Sequence, residues 1–231
     1  MSERFASVVI VAAGRGERFG NPSKVLAMAN GRSLLEWSLA SATASPVVRD
    51  VVVVAAEPAL KRILGTVGAS PWPVPVAVVV GGQRRQDSVA AGVAAVTAGG
   101  SVILVHDAAR PLATPEQFSS CATEARAIGA AIVATPVADT LKRVEQDVVQ
   151  ATVSRAGLWA AQTPQGFRRE QLLSALHLAA DQRVEYTDEA SMMESLGYQV
   201  AIVRGNRLNV KVTHPEDLDM VDALLRLRSE R

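Results

Sequence analysis

Val8-Val9-Ile10-Val11-Ala12-Ala13-Gly14-Arg15-Gly16-Glu17-Arg18-Phe19-Gly20-Asn21-Pro22-Ser23-Lys24 decides how the rest of the chain is read. The apolar run 8–11 has the unbroken hydrophobicity of a strand buried on both faces. Residues 33–44, with Ser33 as cap and Leu34, Leu35, Trp37 and Leu39 as apolar positions, read as a following helix. Between them lies a loop of small residues carrying two cations, Arg18 and Lys24. Small residues let backbone N–H groups approach an anion closely, and the cations can neutralise it. The carboxyl end of the first strand of an α/β sheet is also where nucleotides commonly sit. The stretch reads as a phosphate-handling loop, against the plainer reading of an ordinary strand-to-helix turn. It matches neither familiar version. No glycine directly precedes Lys24, as Gly-x-x-x-x-Gly-Lys-Ser/Thr requires, and Phe19 stands where Gly-x-Gly-x-x-Gly needs its third glycine.

Outward from this loop, apolar runs alternate with helical segments. Stretches 50–56, 76–80, 101–105 and 130–137 read as strands. Stretches 58–64 and 89–98 read as helices, as does a segment opened by Thr114, Pro115 and Glu116. That alternation implies right-handed crossovers and an α/β fold: a Rossmann-like, mostly parallel twisted sheet flanked by helices, with ligands outside the strands' carboxyl ends. At Asp139 the pattern changes to polar–apolar alternation over 140–144 and 148–153, around Glu145-Gln146-Asp147, which is a hairpin signature. A lone two-stranded hairpin is marginally stable in water. It reads either as an arm leaning on a second subunit or as a hairpin folded back on its own domain. Residues 162–167 read as a short polar loop before a helix over 169–180. Thr187 reads as the cap of a helix ended by Gly197, 198–203 and 208–212 as late strands, and Pro215 as the start of the last helix. No repeat or linker interrupts the sequence. The expectation is one domain over 1–231, with an arm at about 138–156.

A chain of 231 residues can bury roughly 70–75% of the surface it exposes when unfolded. Its formal net charge of +1 supplies no general field for nucleic acid. Cys121 stands alone and reads as a small, partly buried helical residue; no intramolecular disulfide can form, which fits a reducing cytosol. Met1-Ser2-Glu3-Arg4-Phe5 lacks the apolar core of a signal peptide, and the longest apolar runs are too short to span a bilayer. The expectation is a cytoplasmic protein with neither nucleic-acid nor membrane partners.

Transfer at a nucleotide's α-phosphorus needs cations around a developing pentavalent centre, usually with Mg²⁺, because catalysis there is mainly positioning and charge stabilisation. Arg18 and Lys24 supply fixed charge. Asp107, at the end of the fourth strand, is the best carboxylate for Mg²⁺ or another divalent cation, which takes one or two protein carboxylates plus phosphates and waters. His106 reads as a hydrogen-bonded structural histidine, and His177 and His214 as surface or cap residues. Three scattered histidines do not make a zinc site. No Ser/His/Asp or Cys/His arrangement has the context of a covalent nucleophile, so direct attack by a substrate phosphate is the simpler course. Arg110, Arg155 and Lys211 could hold that second anion, and Thr140, Thr163 and Thr187 could add hydroxyls. Spacing alone does not bring them together, and taken singly each reads rather as a solvated cation or a cap.

Seven segments in order carry a resemblance across nearly the whole chain: Ala12-Ala13-Gly14-x-Gly16 with Arg18 and Lys24; Gly81-Gly82 with Arg85 and Asp87-Ser88; His106-Asp107-Ala108-Ala109-Arg110-Pro111; Asp139-Thr140-x-Lys142; Gln162-Thr163-Pro164-Gln165; Thr187-Asp188-Glu189-Ala190; and Lys211-Val212-Thr213-x-Pro215-Glu216-Asp217. Together they resemble the 2-C-methyl-D-erythritol 4-phosphate cytidylyltransferase family of the non-mevalonate isoprenoid pathway. The resemblance implies transfer of CMP from CTP to 2-C-methyl-D-erythritol 4-phosphate, giving CDP-methylerythritol and pyrophosphate. It implies that Arg18 and Lys24, with Arg155 and Lys211, are the catalytic cations. Ala12, Ala13, Gly14, Gly16, Gly81, Gly82, Arg85, Ser88 and Ala108 would hold CTP. Asp107 would help place Mg²⁺ and, with Arg110, Thr140, Arg155, Thr163, Thr187 and Lys211, would bind methylerythritol phosphate. It also implies a homodimer in which each arm embraces the partner, so that Thr140 and Arg155 serve the neighbour's site.

Three departures stand out: Val11 where a proline is frequent, Val25-Leu26 after Lys24 in place of glutamine and an aromatic, and acidic Glu17 beside the triphosphate. None removes a reacting group. Competing functions are a cytidylyltransferase for another polyol phosphate such as ribitol 5-phosphate, and a non-catalytic nucleotide-binding regulator, which would be expected to lack Arg18 or Lys24. An NAD-binding module is disfavoured by Phe19 and by the lack of an acid over Val51 to Ala56, with Glu57 the only nearby candidate.

Overall fold

The continuous apolar runs pair into one seven-stranded sheet, because strands buried on both faces satisfy their backbone only against one another. The structure, a computed structural model, describes residues 3–14, 19, 24–97 and 99–229. In chain order the elements are β1 (Ala6–Ala12), the short pair β2 (Met28–Ala29) and β3 (Arg32–Ser33), α1 (Leu34–Ala44), β4 (Val48–Ala55), α2 (Leu60–Gly68), β5 (Val76–Val80), α3 (Arg85–Ala95), β6 (Val102–Asp107), α4 (Pro115–Ile128) and β7 (Ala130–Pro136). There follow β8 (Leu141–Glu145), β9 (Val148–Val153), β10 (Trp159–Arg168), α5 (Arg169–Gln182), α6 (Glu189–Ser195), β11 (Val200–Arg204) and α7 (Pro215–Ser229).

The sheet order is β11-β7-β10-β6-β1-β4-β5. Every neighbouring pair is parallel except the two made by β10, which runs antiparallel between β6 and β7. The mostly parallel, helix-flanked sheet expected from the sequence is the one observed.

Alternation along the strands splits the core into two layers. Val8 and Ile10 of β1, Val51 and Val53 of β4 and Leu104 of β6 face α1, α2 and α4 through Leu35, Leu39, Ile63 and Phe118. Val9, Val52, Val54, Ile103 and Val105 face α3, α5 and α6 through Val89, Val93, Leu172, Leu176 and Met193. A third cluster packs α7 through Val221 and Leu225 against Ala29 and Leu34. Helix starts follow their caps. Ser33 accepts the Glu36 N–H at 3.2 Å while Glu36 reaches back to the Ser33 N–H at 2.8 Å, and Thr114 with Gln117 repeats the arrangement ahead of Pro115.

Several elements differ from the sequence reading. The polar loop expected over 162–167 lies within β10, deep in the sheet. Residues 208–212 form no strand; Val212 N–H donates to Ala109 O at 2.9 Å, so the segment is a strap over the strand ends. Asp188, not Thr187, caps α6 through its side chain. Helix α3 starts at Arg85, ahead of the 89–98 expected, and α2 runs on to Gly68 after a 3-10 turn. The hairpin β8–β9 is a separate two-stranded sheet, with Gln146 and Asp147 at positive φ in its turn. Its Val144, Val148 and Val149 are exposed.

Helix α3 lies close on the sheet because Gly92 has no side chain: a Cβ there would overlap the methyls of Val9 and Val54 on the central strands. Alanine at this position gains helix propensity of about 0.5–1 kcal/mol but forces two β-branched neighbours off their rotamers, which costs about 1–3 kcal/mol. Gly92→Ala is therefore expected to lower the urea midpoint without changing the m-value; an unchanged or raised midpoint would refute the close packing.

Candidate active site

The carboxyl ends of β1, β5 and β6 open into one cleft of about 500 Å³. Ala13 and Gly14 line it after β1; Gly82, Gln83, Arg84, Arg85 and Ser88 after β5; Asp107 and Ala109 after β6. Lys24 and Val25 enter from a 3-10 turn, and Lys211 and Thr213 from the strap. These are the strand ends where an open α/β sheet receives ligands.

The β5–α3 turn depends on glycine. A Cβ on Gly81 would come within 2.7 Å of Ser88 Oγ, and one on Gly82 would collide with Asp87. Ser88 Oγ accepts the Gly82 N–H at 3.2 Å and lies 3.1 Å from Arg84 O, to which it donates, so its hydroxyl braces the turn. Arg84 and Asp87 form a charge-assisted pair at 2.6 Å, and Arg84 holds the Asp87 carboxyl below its usual range.

At the cleft floor four charges alternate. Lys211 Nζ lies 2.7 Å from Asp107 Oδ2, Arg85 lies 3.6 Å from Asp107 Oδ1, and Arg85 Nη1 lies 2.7 Å from Glu189 Oε1. Burial alone would raise the Asp107 carboxyl, but the Lys211 ammonium and then the Arg85 guanidinium more than offset it and hold it well below the usual range. For Glu189 burial dominates and lifts the carboxyl, with Arg85 partly opposing. Lys24 Nζ donates to Val212 O at 3.2 Å, which ties the first loop to the strap.

Behind Asp107 the bulge in β10, where the register shifts between Ala161 and Gln165, turns Thr163 towards β6. Thr163 Oγ1 accepts the Asp107 N–H at 3.1 Å and shares a 2.9 Å hydrogen bond with His106 Nδ1. His106 is fully buried against Phe118, and burial lowers its pKa to about 4, so it is neutral and structural, as the sequence suggests. Arg110 sits under the strap, donating to Asn209 O at 2.8 Å and to Ala161 O at 3.3 Å. Cys121 is buried in α4, donating to Ala131 O and Pro164 O, and burial pushes its thiol up.

Of the residues expected from sequence, Ala13, Gly14, Lys24, Gly82, Arg85, Ser88, Asp107 and Lys211 meet in the cleft wall. Ala12, Gly81, Ala108, Arg110 and Thr163 stand immediately behind it and are not among its lining residues. Thr140 and Arg155 are exposed at the two ends of the hairpin arm, and exposed Thr187 precedes α6; none lines this cleft. Gly16 and Arg18 lie outside the described residues. The sequence reading missed Gln83, Arg84, Ala109, Thr213 and the buried Glu189. For Glu189 the available signal was a carboxylate in the first turn of a helix, followed closely by apolar Ala190, Met192 and Met193, which are the helix's other buried residues. No group of three or more His, Cys, Asp or Glu converges among the described residues, and Asp107 is the one carboxylate among the described residues that line the cleft. One carboxylate on a cleft of this size suits Mg²⁺, which completes its shell with phosphate oxygens and water.

Comparison with known proteins points one way. Residues 6–227 match the family described as IspD: 2-C-methyl-D-erythritol 4-phosphate cytidylyltransferase. A relative from Synechococcus elongatus, named 2-C-methyl-D-erythritol 4-phosphate cytidylyltransferase, is 37% identical over 223 residues, covering 96% of each chain. The crystal structure of the Thermus thermophilus protein of that name superposes with a TM-score of 0.78 at 32% identity, covering 94% of this chain and 98% of that one. The 4-diphosphocytidyl-2C-methyl-D-erythritol synthase of Anaerococcus prevotii superposes with a TM-score of 0.84 at 26% identity, covering 96% of each.

Burial of neutral His106 makes stability pH-dependent. An unfolded histidine titrates near 6.5 and the folded one at about 4. Between those values the unfolded chain binds the extra proton, so stability falls as pH drops from 6.5 to 4, by about 3 kcal/mol. In metal-free buffer, denaturant melts across that window should show this slope, and His106→Asn should flatten it. Parallel curves for the two proteins would refute the assignment.

Proposed function

The chain belongs to the 2-C-methyl-D-erythritol 4-phosphate cytidylyltransferase family, and on that premise we propose that its cleft transfers CMP from CTP to 2-C-methyl-D-erythritol 4-phosphate by direct in-line attack. The protein is thus a nucleotidyltransferase of isoprenoid biosynthesis. A phosphate oxygen of methylerythritol phosphate bonds to the α-phosphorus of CTP, the bond from that phosphorus to the bridging oxygen breaks, and pyrophosphate leaves. The observation that carries this reading is the convergence of Lys24, Arg85 and Lys211 on one cleft floored by Asp107.

Ala13, Gly14, Gly82 and Ser88 form the small-residue wall against which nucleotide and triphosphate lie, with Ala12, Gly81 and Ala108 shaping it from behind. Gly16 belongs to the same wall by sequence. Arg18 and Lys24 neutralise charge developing at the α-phosphorus, where fixed cations in a water-poor site act most strongly. Lys211 receives the second phosphate from the cleft wall, and we assign Arg110 and Thr163 behind that wall, with Thr187 ahead of α6, to the same substrate from their sequence motifs. Asp107 would hold Mg²⁺ or another divalent cation, which when bound supplies charge neutralisation to the triphosphate. The only hydroxyls on the cleft wall among the described residues belong to Ser88 and Thr213, and that of Ser88 is committed to its turn, which favours direct attack over a covalent intermediate.

The hairpin arm, with its exposed Val144, Val148 and Val149, serves a homodimer, carrying Thr140 and Arg155 to the partner's cleft. Residues 1–231 act as one nucleotidyltransferase domain with that arm at about 138–156. No helix among the described residues is long and apolar enough to cross a membrane, and with a net charge of +1 we place the enzyme in the cytoplasm with small-molecule substrates and no nucleic acid.

Pyrophosphate release from CTP, assayed with each alcohol phosphate in turn, tests the reaction. Methylerythritol phosphate is expected to be the preferred acceptor, and preference for ribitol 5-phosphate would overturn the assignment. Sharing of sites between subunits is tested by complementation. Lys24→Ala and Arg155→Ala are each expected to lower turnover about 10²–10³-fold as homodimers, the range for losing one charge-stabilising donor. Mixed dimers should regain one intact site and roughly half of wild-type activity, half being one working site of two. Mixed dimers as inactive as their parents would rule out a shared site.

A further inference from the structure

We propose that Glu189 is a positioning residue for this reaction: it anchors Arg85 so that the guanidinium faces the CTP phosphates while Asp107 is left to Lys211. The inference rests on the cytidylyltransferase reading and deepens it.

Glu189 opens α6 and is 3% exposed. Its Oε1 accepts from Arg85 Nη1 at 2.7 Å, and its Oε2 is buried with no hydrogen-bond partner among the described residues. A buried carboxylate with one oxygen unsatisfied is costly, and an apolar residue would pack more favourably beside Ala190, Met192 and Met193. Fold stability therefore gives little reason for a charge at this position; the demands of Arg85 give one.

The two anions divide Arg85 unequally. Glu189 holds it at 2.7 Å, whereas Asp107 lies at 3.6 Å and has its own closer cation in Lys211 at 2.7 Å. Without Glu189, Arg85 would be drawn onto Asp107 Oδ1, the other carboxylate oxygen within its reach, while Lys211 keeps Oδ2 at 2.7 Å. One cation of the cleft wall would then be withdrawn from the triphosphate, and the cation assigned to the second phosphate would stay in place.

The seat of Glu189 is itself fixed. Gln165 donates to Asp188 Oδ2 at 2.8 Å and accepts the Ala190 N–H at 3.3 Å, so β10 clamps the residues on either side. Gln86, next to Arg85, accepts the Tyr186 N–H at 3.3 Å and donates to Val184 O at 3.4 Å. The starts of α3 and α6 are thereby locked at one spacing, as a residue that orients another requires.

A double-mutant cycle tests this, using wild type, Glu189→Gln, Arg85→Ala and the double variant. It is read in CTP affinity by calorimetry in magnesium buffer, and in kcat and KM for each substrate. Glu189→Gln is expected to weaken CTP binding and kcat/KM for CTP about tenfold, in line with couplings between contacting residues. KM for methylerythritol phosphate should change less than about twofold, because a loss confined to one substrate's binding leaves the other's untouched. In the Arg85→Ala background the same substitution should have no further effect. Should Glu189→Gln fail to fold, Glu189→Asp, which keeps the charge but withdraws it by one methylene, takes its place in the same cycle. Additive losses, equal losses for both substrates, or an unaffected CTP affinity would overturn the proposal. Wild-type protein that binds CTP but does not transfer CMP would instead overturn the functional reading, and the affinity cycle would still decide the role of Glu189.

Discussion

The buried Asp107 carboxylate at the end of β6 is the constraint around which the site is assembled. Its cations come from distant parts of the sequence: Arg85 from the start of α3 and Lys211 from the strap before α7, with Glu189 at the start of α6 completing the row. A carboxylate so deep is tolerable only if its partners arrive with good geometry, even though Lys211 itself keeps one side in water. Folding the last quarter of the chain over the strand ends is therefore also what neutralises the cleft floor. The Lys24 bond to Val212 O fastens the same strap from the first loop. Fold and site are not separable here: the contacts that close the domain are the contacts that set its charges.

The parallel half of the sheet was legible because its strands are buried on both faces and so read as unbroken Val, Ile, Leu and Ala. The capped helices were legible for an equally local reason, since Ser33–Glu36 and Thr114–Gln117 carry their hydrogen bonds within one turn. Strand β10 was not. Its buried centre is Gln162-Thr163-Pro164-Gln165-Gly166, and a Cβ on Gly166 would come within 2.8 Å of Leu104 Cδ2 and 3.1 Å of the Cys121 carbonyl, so close helix packing requires a position without a side chain. A strand whose buried residues are polar or absent has no periodicity to detect. The reverse error, a strand expected over 208–212, arose because Leu208, Val210 and Val212 alternate as strand residues do, whereas their neighbours in space are the Ala109 and Lys24 loops.

For the site, the sequence showed which residue types lay at strand ends but not how they pair. Arg85 and Asp107 stood in separate motifs, and nothing in their spacing revealed that one guanidinium would lie between two carboxylates. Glu189 stands in the first turn of α6, where a carboxylate also suits the helix dipole, so its position alone does not reveal its partner. Long-range charge pairing belongs to the tertiary fold, and a single sequence carries it only as the residues themselves.

The arm is not a separate appendage. Strands β7 and β10 remain paired up to Pro136 and Trp159, and Val137 N–H donates to Leu158 O just beyond, so the arm grows directly out of the central ladder. Because a pleated strand shows alternate residues to opposite faces, inserting a single residue in either limb would exchange its inner and outer surfaces, whereas inserting two would preserve them. The limb pair can therefore change length in even steps while the sheet from which it springs keeps its register.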